Sequence, residues 1–185
     1  MAETLSKMIP LGTKAPDFLL PDTISGKNYS LNDMRGDKAT VIMFICNHCP
    51  YVIHVIEELV YIPLDYKGKG ISFIAISSND VISHPQDSPE NMKKFAEKYR
   101  FTFPYLYDSI QDIAQAYSAA CTPDFFIFDG ELSLKYRGQM DDSRPGNNIP
   151  VTGKNIRNAL DNILNDKPVD PVQKPSIGCN IKWKY

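Results

Sequence analysis

Cys46-Asn47-His48-Cys49-Pro50 follows directly on the apolar run of residues 39–45. Two cysteines two residues apart, where a buried strand hands over to a helix, form a reversible dithiol/disulfide site. A helix N-terminus carries unpaired N–H groups and a partial positive charge. That field favours the thiolate, which is the reactive form of cysteine. A mixed disulfide formed on one sulfur can then be attacked by the other. Cys46 is the expected attacking thiol, at an exposed helix start. Cys49 is the expected resolving thiol, lying deeper. His48 sits between them. An imidazole or imidazolium beside a thiolate lowers the thiol pKa and stabilises the reduced state, which makes the disulfide more oxidising. The alternative for His48 is a solvent-exposed loop residue.

The elements that must hold this motif are legible in the patterning. Residues 39–45 read as a strand covered on both faces. From Pro50 the period changes, and Val52, Val55, Ile56, Leu59 and Val60 share one helical face. Pro63 is expected to kink or end that helix. Residues 71–77 read as the next strand, followed by a polar loop over 83–88. Ser88-Pro89 is a helix start, with Met92, Phe95, Ala96 and Tyr99 facing inward. A short strand at 105–107 and a short helix through Ile110, Ile113, Ala114 and Tyr117 follow. Residues 124–128 and 132–137 flank Asp129-Gly130, a hairpin signal. Thr152 is the expected cap of a last helix that turns Ile156, Ala159, Leu160 and Ile163 inward. Residues 1–30 read as an irregular arm. Alternating strands and helices imply an α/β layered sheet with an antiparallel hairpin at one edge.

At 185 residues the chain suits one domain with a sizeable core. Its net charge of -2 and its lack of a basic stripe argue against nucleic acid as a partner. No apolar stretch is long enough to span a bilayer, and residues 1–11 lack the apolar segment of a secretory signal. A cytoplasmic location is therefore expected, and four cysteines in a reducing compartment are better read as reactive or buried than as structural staples. One CxxC without a second pair is weak support for structural zinc, so neither a metal nor a cofactor is expected.

The order of elements and three motifs resemble the thioredoxin-like superfamily, in particular the redoxin (AhpC/TSA, peroxiredoxin-like) subgroup that retains CxxC. The motifs are Cys46-Asn47-His48-Cys49-Pro50, Thr122-Pro123 with the following Asp124-Phe125-Phe126-Ile127-Phe128-Asp129-Gly130, and Gly12-Thr13-Lys14-Ala15-Pro16-Asp17-Phe18. The tail Pro175-Ser176-Ile177-Gly178-Cys179-Asn180-Ile181-Lys182-Trp183 looks like the C-terminus of such chains. The resemblance implies a thioredoxin-like α/β fold with a central mixed sheet flanked by helices. Residues 1–165 would form the domain with its N-terminal arm, and 166–185 an extended tail packed on or near it. It also implies a cis-proline at Pro123 opposite the CxxC, with Thr122 and Pro123 pairing with the backbone of an extended substrate. Cys121 would then lie near the active disulfide, as an alternative disulfide partner or metal ligand, or simply as a space-filling residue. Cys179 is either a third thiol offered by a folded-back tail or a passenger on a tail packed down by Ile181, Trp183 and Tyr185. Arg137 and Arg144 are candidates for positive charge near the thiolate, with a solvated surface role the simpler reading.

Three functions fit. The first is a thiol–disulfide oxidoreductase of cell redox homeostasis, with a disulfide-containing protein or small disulfide as partner and an upstream thiol reductant. The second is a peroxiredoxin-like antioxidant peroxidase with Cys49 or Cys46 as peroxidatic cysteine. The family's proline seven residues before Cys49 is Ile42 here, and its arginine is missing near Thr122-Pro123, which ranks this second. The third is a non-enzymatic redox sensor. Departures from ordinary thioredoxin are Ile45 in place of a tryptophan and no carboxylate in residues 39–45, which leaves the proton acceptor unassigned.

Overall fold

The computed structural model describes residues 3–184. Its elements in chain order are β1 (Glu3–Leu5), β2 (Leu19–Pro21), β3 (Asn28–Ser30), α1 (Leu31–Met34), β4 (Ala39–Phe44), α2 (Pro50–Asp65), β5 (Ile71–Ser77), a 3₁₀ turn (Pro85–Asp87), α3 (Pro89–Tyr99), β6 (Tyr105–Tyr107), α4 (Asp112–Ala116), β7 (Cys121–Thr122), β8 (Asp124–Asp129), β9 (Leu134–Gly138), α5 (Lys154–Leu164) and β10 (Ile177–Asn180). The central sheet runs β6-β5-β4-β8-β9. β4 is parallel to β5 and β5 to β6, while β8 and β9 are antiparallel additions. This is the thioredoxin-like α/β sheet.

Side chains alternate across a strand, so each strand feeds two cores. Val41, Met43 and Ile127 pack with Leu59 of α2, Phe95 of α3 and Leu160 of α5. Ile42, Phe44, Ile76 and Phe126 pack on the other face with Phe18, Leu31 and Tyr117. β4 is buried along its whole length, as its unbroken apolar run requires. Its register with β8 pairs Phe44 with Asp124. The chain leaving β4 toward Cys46 therefore meets the chain entering β8 from Thr122-Pro123.

Three local expectations are revised. The N-terminal arm is not wholly irregular, because β2 and β3 form a short antiparallel pair and β1 pairs with β10. α2 does not stop at Pro63 but carries it, buried, near its end. The last helix is capped by Gly153, at φ 64°, rather than Thr152. The freed amides of Thr152 and Gly153 donate to Asp141 Oδ2.

The tail is more than a packed appendage. β10 lies between β1 and β7 in a second, three-stranded sheet. Beyond it, Ile181 is buried and Trp183 is partly exposed; Tyr185 lies outside the described residues.

Arg137 is not a surface cation. It is fully buried on β9, its Nη2 donating to Asp124 Oδ2 at 3.1 Å and to the Ser118 carbonyl at 2.9 Å, with the guanidinium over the Phe126 ring. Burial pushes the Asp124 carboxyl up to about 6, against the pull of Arg137. Removing one member of such a pair leaves an uncompensated buried charge, which costs about 3–5 kcal/mol. Asp124→Leu or Arg137→Met alone is expected to lose that much stability in denaturant titration. The double variant is expected to lose less than either, because no orphan charge remains.

Candidate active site

α2 begins at Pro50, which makes Cys49 its N-cap. Proline suits a first helical position because it has no N–H to leave unpaired. Cys46 thus does not sit at an exposed helix start: it lies three residues earlier, in the loop leaving β4, with 1% of its surface exposed. Cys49 is 0% exposed. Both thiols meet one residue. Cys46 Sγ is 3.4 Å from Thr122 Oγ1, and the Cys49 thiol donates to the Thr122 carbonyl at 3.1 Å. The Thr122-Pro123 bond is cis. One edge of β7 is taken by β10: Cys179 stands opposite Thr122 and Asn180 opposite Cys121.

Cys121 and Cys179 separate here. The Cys121 thiol is buried and turned to the Pro123 carbonyl at 3.7 Å. Burial and the Asp124 carboxylate push it well up, so it stays protonated. Cys179, 3% exposed, stands opposite Thr122, the residue whose carbonyl accepts from the Cys49 thiol.

A carboxylate absent from the sequence reading completes the site. Asp87, from the 3₁₀ turn after β5, is fully buried. It accepts from the Asn47 amide at 2.9 Å and from Asn79 Nδ2 at 2.8 Å. His48 Nδ1 lies 2.7 Å from Asp87 Oδ2, as an ion-pair contact without the alignment of a hydrogen bond. The donor atoms of Cys46, His48 and Asp87 all lie within 4.8 Å of one another. His48 is only partly exposed and stacks on His84, so it is not a free loop residue. Asn47 is held from both sides, its Nδ2 donating to the Gln86 carbonyl and its Oδ1 accepting from the buried Tyr105 hydroxyl. The available signal was positional: parallel α/β sheets place functional groups beyond the carboxyl ends of their strands, and Asp87 lies there.

The electrostatics single out Cys49. The hydrogen bond from Cys46 is the largest effect on it and outweighs burial; Cys179 and Thr122 add to it, and the thiol falls to about 5. Cys46 moves the opposite way and is held well above its ordinary value, first by its bond to Cys49, then by burial and the Asp87 carboxylate. Burial, followed by the contact with Cys49, pushes Cys179 up to about 12. His48 and its hydrogen-bond donors keep Asp87 ionised despite its burial. Cys46, His48 and Asp87 also form a zinc-type donor set, with Asp87 already engaged by Asn47 and Asn79.

Residues 11–137 match the family model of the AhpC/TSA family. A solved structure of an uncharacterised conserved protein from Geobacillus kaustophilus is 60% identical, with a TM-score of 0.98 over 100% of this chain and 97% of that one. The thiol-disulfide oxidoreductase ResA of Geobacillus kaustophilus (strain HTA426) is 31% identical over 137 residues, 71% of this chain and 72% of that protein. The thioredoxin domain of a thiol-disulfide oxidoreductase from Bacteroides vulgatus shares the fold, at TM-score 0.60 and 21% identity over 70% of this chain and 89% of that one. A thioredoxin-like fold with a CxxC at the end of its central strand defines a redox protein class. The chain belongs to the AhpC/TSA family.

In the reduced protein one thiolate is expected to appear through pH about 5. A second should appear only far higher, as read by ultraviolet thiolate absorbance. An unfolded thiol ionises near pH 8.5, so the Cys49 thiolate stabilises the reduced fold above that value. The gain disappears as pH falls through about 5. Asp87→Asn removes the charge that opposes ionisation of Cys46, so the second titration should move down in pH. An unmoved second titration would show that Asp87 does not act on Cys46.

Proposed function

We propose that this protein is a thiol–disulfide oxidoreductase acting through Cys46 and Cys49. The observation that carries the reading is that both thiols are gathered on Thr122, with ionisation favoured at Cys49. The Cys49 thiolate attacks a substrate disulfide, one sulfur leaves as a thiolate, and a mixed disulfide forms on Cys49. Cys46 then gives up its proton and attacks Cys49 Sγ, which releases the second substrate thiol. One substrate disulfide is reduced to two thiols, and the Cys46–Cys49 disulfide that results is reopened by a thiol reductant. The Asp87–His48 pair beside Cys46 is the proton acceptor that β4 itself does not supply. The order of attack reverses the sequence expectation, because Cys49 rather than Cys46 caps α2. The Asp87 carboxylate offsets any imidazolium effect of His48 on Cys46; the thiolate that is favoured belongs to Cys49, and by stabilising the reduced form it still points to a disulfide more oxidising than that of ordinary thioredoxins. The substrates proposed are a disulfide-containing protein or a small disulfide.

A peroxidase centred on Cys49 is the second reading, favoured by the low pKa of that thiol at the N-cap of a long helix, just before Pro50. The two arginines that were candidates for positive charge near the thiolate are committed elsewhere. Arg137 is paired with Asp124, and Arg144 donates to Gln139 Oε1 and to the Asp141 and Ser143 carbonyls. The test compares reaction of the reduced protein with glutathione disulfide and with hydrogen peroxide. Disulfide exchange is expected to exceed that of a free thiol by at least tenfold and to be lost in Cys49→Ser. A peroxide rate far above that of a free thiol, with no gain for the disulfide, would replace this reading by the second. A mixed disulfide forming on Cys46 in Cys49→Ser would restore the original order of attack.

A further inference from the structure

We infer that Cys179 is a third redox thiol, competing with Cys46 for the Cys49 sulfur, so that a Cys49–Cys179 disulfide can tie the C-terminal strand across the site. This rests on the exchange chemistry proposed above and adds the element that controls it.

The geometry converges on Thr122. Its hydroxyl contacts Cys46, its carbonyl accepts from Cys49, and its backbone pairs with Cys179. Three sulfurs, two from the CxxC and one from the C-terminal strand, therefore surround one residue. Cys49 and Cys179 meet at the main chain of Thr122, the one bonded to its carbonyl and the other paired opposite it on β10. The approach of β10 is built in. A Cβ on Gly178 would collide with the Thr122 carbonyl, so glycine is what allows this strand to lie so close. β1 flanks the strand on its outer side, through Glu3 opposite Cys179. Beyond β10 the tail is held by side chains near the site. Lys182 N donates to Asn79 Oδ1, and Asn79 also donates to Asp87. Lys182 O accepts from the Asp80 amide and from Gln111 Nε2.

Cys46 and Cys49 have essentially no exposed surface, so the elements packed on them, β10 among them, must shift before a macromolecular disulfide can reach them. Two internal outcomes follow after attack on a substrate. In one, Cys46 resolves the mixed disulfide, Cys179 stays a thiol, and only backbone pairing and packing hold the strand. In the other, Cys179 loses its proton to the departing substrate thiolate and attacks Cys49 Sγ. The bond from Cys49 to the substrate breaks, and the Cys49–Cys179 bond forms. Either way two protein thiols are oxidised and one substrate disulfide is reduced. The second outcome fastens the strand covalently. It reverses without net oxidation when the Cys46 thiolate attacks Cys49 and expels Cys179.

The test uses the full-length chain with Cys46→Ser and 5,5′-dithiobis(2-nitrobenzoate) as the oxidising disulfide. If Cys179 competes for Cys49, each chain releases two chromophores at this site, retains no adduct, and yields a Cys49–Cys179 cross-linked peptide on mapping. Adding Cys179→Ser should halve the release and leave the adduct on Cys49. Circular dichroism of both variants checks that each is folded. If Cys46→Ser is folded and keeps a stable adduct on Cys49 with Cys179 free, this inference is overturned and the exchange reading stands. If the wild-type chain exchanges with no disulfide, both fall.

Discussion

Thr122 is the point at which three otherwise independent segments are forced together. It lies where the antiparallel register of β4 with β8 brings the end of one strand against the beginning of the other. Its two oxygens face the two CxxC sulfurs, and its main chain carries the C-terminal strand. A buried polar group must be hydrogen-bonded to be tolerated. At this position the available partners are thiols and a strand of the same chain. The chemistry of the site and the closure of the site are therefore set by the same residue.

Burial and charge pull in opposite directions around that residue. Removing a thiol from water disfavours its ionised form, and Cys121 shows what burial does when nothing compensates it. Cys49 escapes because neighbouring thiols donate to it and the start of α2 lies beneath it. Cys46 yields its proton less readily because it is the donor and because Asp87 is nearby. One thiolate with protonated neighbours is a workable arrangement for exchange. Two buried thiolates in contact would not be.

A second buried pair supports the first from below. Asp124 follows Pro123 directly and is held by Arg137 from the neighbouring strand. Asp124 also receives the Ala120 amide, which leads into β7. The ion pair thus anchors both ends of the turn that presents Thr122. This gives Arg137 a role in positioning, not in contact with the sulfurs.

Local patterning was enough for most of the fold. The apolar run of β4, the helical face of α2, the Ser88-Pro89 start of α3 and the Asp129-Gly130 hairpin each follow from short-range periodicity and turn chemistry, which a chain carries wherever it folds. The CxxC was legible for the same reason, and the Thr122-Pro123 pair through the family resemblance. Residues far apart in sequence were not. Asp87 is 40 positions from Asn47 and joins the site only through the packing of the turn after β5. Arg137 looked like a surface charge because nothing local marks it as buried. The helix start is a backbone matter of a few residues, and it moved the capping position from Cys46 to Cys49. The sequence alone determined that this chain carries a dithiol at the end of a central strand. Only the tertiary structure decided which thiol ionises first, which carboxylate attends it and which distant cysteine stands against it, because each depends on long-range proximity and burial.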